Sequence, residues 1–349
     1  MKKLFLFPIL LFLLAAVSVN AQKKYSVYAV GFYNQENLFD TCHDAGKNDR
    51  DFLPNGSYRW NGLKYTHKLR NMAKVLADMG TDVLKEVGCA VIGLSEVENS
   101  KVLDALIAQE PLRARGYKYV HIEGPDVRGI DCALLYNPAL FKVEEAKLLP
   151  YVPGESMDAG FKTRGFLTVS GEMAADPVTF IVCHWPSRAS GPAYREHAAL
   201  QVKSIKDSIL KVNPDMKVLV MGDMNDDPTN KSMKDVLGAK PDVKKVKDGD
   251  MYNPWYNVFV KNGTGTLTYQ GSWNLFDQIV MTPNLVNADG KKDFTTLKYW
   301  KNQIFRRDYL MNTEGRYKGT PKRTHAGGIW LDGYSDHLPV VVYLVKEQQ

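Results

Sequence analysis

The chain has 349 residues, 44% of them apolar and 24% charged, which excludes a disordered or collagen-like chain and allows one large domain or two ordinary ones. The formal net charge is +6, part of it from Lys2 and Lys3 in the leader described next. Such mild basicity tolerates anionic substrates without demanding nucleic acid.

Residues 1–21 combine Lys2 and Lys3, an apolar stretch over 4–17 and a small-residue site at Val19-Asn20-Ala21. This is the pattern of a cleaved export signal, and the apolar stretch is short for a membrane anchor. The expected product is residues 22–349, a single domain in the periplasm or outside the cell. No second long apolar run follows, so stable membrane insertion is not expected. The four cysteines, Cys42, Cys89, Cys132 and Cys183, allow three pairings, but the last three lie in or next to apolar strand-like runs. Buried free thiols are expected for at least two. No CxxC spacing occurs, which argues against structural zinc.

Residues 25–33 (YSVYAVGFY) alternate like a first strand and run into Asn34-Gln35-Glu36-Asn37. Residues 41–62 are polar, with Gly, Pro and Asp, and read as a surface loop. Over 63–79, Leu69, Met72, Ala73, Leu76 and Met79 recur at helical spacing, an amphipathic helix. A buried strand at 89–94 ends in Ser95-Glu96-Val97-Glu98-Asn99. A helix at 102–114 is interrupted near Pro111, and strands follow at 117–122 and 132–136. Strands at 165–170 and 178–183 form a pair, the second leading into His184-Trp185-Pro186-Ser187-Arg188. Pro192 opens a long helix with Ala198, Val202, Ile205 and Ile209 on one stripe. The aliphatic run 217–221 is a strand that Gly222 ends, followed by Asp223, Asn225, Asp226 and Asp227. A strand at 276–282 carries Asp277. Residues 284–333 read as irregular, basic and aromatic, and Ser335-Asp336-His337 precedes a last strand at 340–344. Helices alternate with strands early and strand pairs dominate later, which predicts layered α/β with a mixed sheet.

Strand ends repeatedly finish in polar groups: Asn34, Glu96, His184, Asp223 with Asn225, Asp277, and Asp336 with His337. Each alone reads as a turn residue. Together they imply a shared polar floor. Carboxylate and amide oxygens at two-residue spacing on extended chain suit a hard divalent cation and a phosphate ester.

The motifs YNQENLFD, GLSEVEN, CHWPSR, GDMNDDP, FDQIV and SDHLPV, in this order, resemble those of the endonuclease/exonuclease/phosphatase superfamily, the deoxyribonuclease-I-like fold. The resemblance spans about residues 25–345, and with the leader it suggests a secreted, bacterial-type member. It implies a four-layer α/β/β/α sandwich, two packed mixed β-sheets with helices outside. It also implies hydrolysis of phosphate esters with magnesium or manganese.

By the same resemblance, Glu96 is the principal metal carboxylate, Asn34 lies near the metal and Asp336 is a second metal contact. Asp223 orients or deprotonates water, or holds the metal, and Asn225 donates to a phosphate oxygen. Asp277 fixes the tautomer of His337. His184 protonates the leaving oxygen or stabilises transition-state charge, with Asp131 as a candidate to orient it. Arg164, ahead of Arg128 and Arg188, is the expected substrate-binding arginine. Glu98 points the other way along extended chain and reads as a surface acid. Asp226 and Asp227 add negative charge beside an anionic substrate. The basic segment favours a phosphodiesterase of nuclease type with nucleic acid as partner. A phosphoesterase for a small or lipid-linked substrate, of inositol phosphate or sphingomyelin type, stands second, and a catalytically silent binding protein third. Oligomeric state is not legible.

Overall fold

A computed structural model describes residues 23–288, 290 and 292–348; the export signal and cleavage site expected over 1–21 lie outside them. The first half contains β1 (Tyr25–Leu38), α1 (Gly62–Asp78), β2 (Cys89–Val97), α2 (Ser100–Ile107), α3 (Glu110–Arg113), β3 (Lys118–His121) and β4 (Asp131–Tyr136). Then come β5 (Lys142–Leu149), β6 (Phe166–Met173), β7 (Asp176–His184), α4 (Pro192–Val212), β8 (Lys217–Asp223), β9 (Ala239–Lys240), β10 (Met251–Tyr252) and α5 (Tyr256–Asn262). The chain closes with β11 (Leu267–Tyr269), β12 (Ser272–Asn274), β13 (Asp277–Met281), β14 (Lys298–Ile304), β15 (His325–Ala326), β16 (Ile329–Trp330) and β17 (Val340–Glu347).

The two large sheets have the orders β14-β17-β1-β2-β4-β3 and β5-β6-β7-β8-β13-β10-β9, and β11-β12 and β15-β16 form two-stranded ribbons. Both large sheets are mixed. β1 pairs parallel with β2 and β7 parallel with β8, and each of these pairs is joined through a helix, α1 or α4. A parallel pair needs such a crossover, and the crossover helix covers an outer sheet face. The alternation of side chains then makes the layers. On β1, Val30 and Phe32 enter the core between the sheets while Ala29 and Tyr33 face α1 and α2. On β8, Leu219 and Met221 point between the sheets, and Val218 and Val220 pack on α4. Each such side chain contributes roughly 1.5–3 kcal/mol on burial. Close approach of the sheets needs Gly93, where a Cβ would meet the Met221 sulfur at 2.5 Å. The result is the four-layer sandwich of helix, sheet, sheet and helix.

The register places the polar strand ends. His184 pairs with Asp223, and Asp223 with Asp277, across three adjacent strands of one sheet. Asn34 pairs with Ser95 in the other sheet, beside Glu96. Both rows end at one rim of the sandwich.

Some elements differ from the sequence expectation. Residues 284–333 are not irregular throughout, because β14 pairs with β17 and extends the first sheet. β5 is a half-exposed edge strand, and β11–β12 is a hairpin turned by Gln270 and Gly271. Charged residues on both faces of β5 and β14 hide the alternation that marks a half-buried strand. Pro111 opens the separate short α3 instead of interrupting a longer helix. All four cysteines are unpaired; Cys89, Cys132 and Cys183 are buried and Cys42 is exposed. Among the described residues, no helix is long and apolar enough to cross a membrane.

Candidate active site

Asn34 joins the two polar rows. Its Nδ2 donates to Asp223 Oδ2 at 3.0 Å and to Glu96 Oε1 at 3.4 Å, while its Oδ1 accepts from the Glu36 amide. Its amide thus ties the two carboxylates together. The Asn37 amide donates to the other Glu96 oxygen at 2.9 Å. Glu96 sits on a bulge of β2 with φ +61, and Glu36 (φ +46), Asn37 (φ +56) and Asn225 (φ +50) share this left-handed conformation. Four non-glycine residues of this kind around one cleft are the strained backbone typical of functional sites.

Across the cleft, His337 Nδ1 lies 2.7 Å from Asp277 Oδ2, and Asp277 is fully buried. The other ring nitrogen faces Asp223 Oδ2 at 3.8 Å and Asp336 Oδ1 at 4.0 Å. Ser335 explains the serine of the motif. Its hydroxyl donates to the Asn34 carbonyl and accepts from the His337 amide, tying the last loop to β1. Burial opposes charge on His337, but Asp277 and then Asp223 outweigh it and raise the imidazole well above its ordinary value. Burial lifts Asp223 to about 6, against the pull of the His337 charge.

His184 lies between the rows, Nε2 at 3.6 Å from Asp223 and 3.8 Å from Glu96. Burial pushes it well below the usual imidazole value, and the Arg164 and Arg128 charges push the same way. The surroundings therefore drive the two histidines apart, His337 toward the charged form and His184 toward the neutral one. Neutral His184 suits hydrogen bonding to a phosphoryl oxygen better than protonation of a leaving group. Its Nδ1 is buried without a partner, and so is Asp277 Oδ1.

Other expected roles meet different surroundings. Asp131 contacts His121 and the Gly124 amide and does not orient His184. Arg164 is buried, with its terminal nitrogens on Asp126 and the Trp185 carbonyl, so the expected phosphate grip is turned inward. Arg128 is only half-buried and reaches Asn37 Oδ1, so it lies nearer the open cleft. The Asn225 amide donates to the Trp185 carbonyl, leaving its backbone kink as the local feature. Asp336 is at the mouth, paired with Arg323 at 2.9 Å. Glu98 is not a surface acid: it is 3% exposed, accepts from the Asp40 amide, and burial raises it to about 8. Asp226 pairs with Arg195 and accepts from Ser232, and Asp227 pairs with Arg188 and accepts from the Leu275 amide, so both acids already have partners.

Sequence reasoning missed Glu36 and Lys68. Lys68 of α1 is buried and donates to Thr324 Oγ1 at 2.7 Å and to the Tyr334 carbonyl at 2.5 Å. Glu36 accepts from the Thr324 amide at 2.6 Å and faces Arg323 at 3.4 Å. Together they fasten the segment that ends in Asp336 and His337. A lysine within an amphipathic pattern carries no signal of such cover.

The donor set also tests the expected cation. Glu96 and Asp223 share Asn34 and His184 as neighbours, so their oxygens border one small space, and hard oxygen donors there fit magnesium or manganese. Asp223, Asp277 and His337 also bring ligand atoms within 4.8 Å of one another. The hydrogen bond between Asp277 and His337 already occupies that pair, so the Glu96–Asp223 side is the better seat.

Comparison with known proteins bears on this arrangement. The sequence model described as Endonuclease/Exonuclease/phosphatase family matches residues 29–346. An endonuclease/exonuclease/phosphatase family protein from Bacteroides thetaiotaomicron superposes with TM-score 0.55 at 16% identity, over 93% of this chain and 97% of that one. A mannosyl-6-phosphatase from Bacteroides thetaiotaomicron VPI-5482 gives TM-score 0.55 at 16% identity, over 91% and 99%. TDP2 of D. rerio, complexed with a single strand DNA product, gives 0.53 at 14% identity, over 91% and 99%. At these identities the likeness is one of fold. No curated protein matches the chain in sequence.

Proposed function

The chain belongs to the endonuclease/exonuclease/phosphatase family, and from that premise we propose that it is an exported, metal-dependent phosphodiesterase of nuclease type. The observation that carries the reading is the convergence on Asp223 Oδ2 of Asn34 at 3.0 Å, His184 Nε2 at 3.6 Å and His337 Nε2 at 3.8 Å. His337 is bonded through Nδ1 to Asp277 and faces the cleft through Nε2.

A bound magnesium or manganese ion, held by Glu96 with Asp223 beside it, would offset negative charge on the phosphate and make a water more acidic. The side chains do the rest. Asp223, ionised at neutral pH, accepts the proton of the attacking water. His337, kept charged by Asp277, stabilises the phosphoryl oxygens and passes a proton to the leaving oxygen. Neutral His184 donates a hydrogen bond through Nε2, and Arg128 adds positive charge at the mouth. Asn34 fixes the spacing of the two carboxylates throughout. The leader read at residues 1–21 supports export, which N-terminal sequencing of secreted protein starting at Gln22 would check.

The test is hydrolysis by the purified protein of single- and double-stranded DNA, RNA, a generic phosphodiester and phosphomonoesters. Activity should disappear in excess chelator and return with magnesium or manganese, without zinc. Full activity in chelator, or hydrolysis of monoesters alone, would overturn the reading.

A further inference from the structure

A groove of about 680 Å³ begins at Asp336 and runs away from the His337–Asp277 pair. Its walls are the β11–β12 hairpin and the loop around 312–331, and its lining includes Tyr269, Trp273, Arg316, Tyr317, Arg323 and Asp336. The volume lies within the range of ligand sites. We propose that this groove seats one or two unpaired nucleotides beside the phosphate that is cleaved, with Tyr269 and Tyr317 as stacking surfaces. The proposal rests on the phosphodiesterase reading and specifies which substrate that site takes.

Three features support it. Tyr269 and Tyr317 are 65% and 51% exposed, so both rings have a face open to a ligand in the groove. Exposed rings next to cations are how proteins hold single strands, because every base has a face to stack and every link a charge. Here Arg316 and Lys318 line the same groove, and Arg316 lies 5.9 Å from the Tyr317 ring centroid. The groove adjoins the reacting centre: Asp336, next to His337 in the chain, lines it, and Leu267 of its β11 wall bridges to His337. A duplex hides its base faces and offers nothing to these rings.

The wall is also built in advance. Asn312 exchanges backbone hydrogen bonds with Thr320 and Gly319, and its side chain donates to Thr320 and Pro321. Met311 bridges to Pro321, and Lys68 pins Thr324 beyond it. A sugar phosphate fits less well. Adjacent sugar hydroxyls call for free carboxylates or amides. Among the described residues that line the groove, the one carboxylate, Asp336, is held by Arg323 and the Asn312 amide is taken, which leaves the exposed Gln270 amide to meet a pair of sugar hydroxyls.

The experiment uses the full chain without its leader, the Tyr269→Ala and Tyr317→Ala variants and their double. Substrates are a single-stranded oligonucleotide, the same sequence as a blunt duplex, mannose 6-phosphate, and p-nitrophenyl methyl phosphate as a small diester. Affinity for a fluorescent single-stranded hexanucleotide is measured in chelator. Wild type should prefer the single strand. The double variant should lose about five- to a hundred-fold in kcat/KM on it, mostly through KM, and the same in affinity. Its loss on the small diester should be less than twofold. Equal losses on both, a duplex preference, or a hexanucleotide affinity that the variants leave unchanged would overturn the groove assignment. Tight, variant-sensitive binding without hydrolysis of any diester would instead uphold the groove and overturn the proposed reaction.

Discussion

Asp277→Asn is the sharpest perturbation of the proposed chemistry. The substitution keeps size and shape at a fully buried position but removes the charge 2.7 Å from His337 Nδ1. Two unit charges 4 Å apart attract by about 4 kcal/mol at an effective dielectric of 20. Loss of general acid–base function typically costs about a hundred- to ten-thousand-fold in rate, or about 3–5 kcal/mol, and the two scales agree. Two further signs follow. Asp277 is the foremost group raising His337, so the variant's imidazole should titrate lower, and the alkaline fall in kcat should move to lower pH. A histidine whose folded value is raised contributes stability that is fully present below about 6.5 and lost as pH rises through the folded value. The wild-type melting temperature should therefore fall across that window more steeply than the variant's. The assay is kcat/KM against pH for wild type, Asp277→Asn, His337→Ala and the double mutant, with manganese affinity measured by titration. A pair acting as a unit predicts a double mutant little worse than His337→Ala. Losses that multiply would refute the pair. A large loss of manganese affinity in Asp277→Asn would make Asp277 a metal ligand and refute its assigned role. Near-normal turnover by His337→Ala would remove that residue from the mechanism.

Lys68→Met leaves the Thr324 hydroxyl without its donor, the Tyr334 carbonyl with the 3.3 Å bond from Thr324 in place of the short one from Lys68, and Glu36 without its neighbouring charge. It should cost about 3 kcal/mol and expose 312–331 to limited proteolysis before the sheets unfold; cleavage at the wild-type rate would show that the segment is held by other contacts. His325 is lowered to about 4, foremost by burial, so the unfolded chain takes up its proton first. Its contribution is present above about 6.5 and lost as pH falls toward 4. His325→Phe, which keeps the ring against Tyr58 and Trp60, should flatten the melting temperature over that interval. A thiol reagent should label Cys42 alone in the native protein and all four cysteines after unfolding; more than one fast thiol would contradict the burial of the rest.

What could be read from the sequence follows a simple line. Strands buried on both faces announce themselves by composition, so the polar residues that end β2, β7, β8 and β13 stood out against apolar runs. Their convergence needed only the pairing register, which sets His184, Asp223 and Asp277 side by side. Hidden from sequence were contacts made by distant segments. Glu98 looks like a surface acid until the Asp40 amide covers it, and Arg164 looks like a free loop cation until Asp126 meets it. β14 has lysine, tryptophan and asparagine where alternation would mark a strand, because it lies at an edge with only one neighbour, β17. Glu36 went unnoticed because no spacing rule records a left-handed turn inside a strand.

Those left-handed residues set activity against durability. Glu36, Asn37, Glu96 and Asn225 each hold a conformation that costs a side-chain-bearing residue on the order of 1–3 kcal/mol and glycine far less. A screen that rewarded heat resistance alone would be drawn toward glycine at these positions, where it would relax the chain and delete the carboxylates and amides that the cleft displays. Engineering for robustness should therefore leave the rim untouched and look to the exposed edges, such as β5, where no side chain named in the chemistry resides.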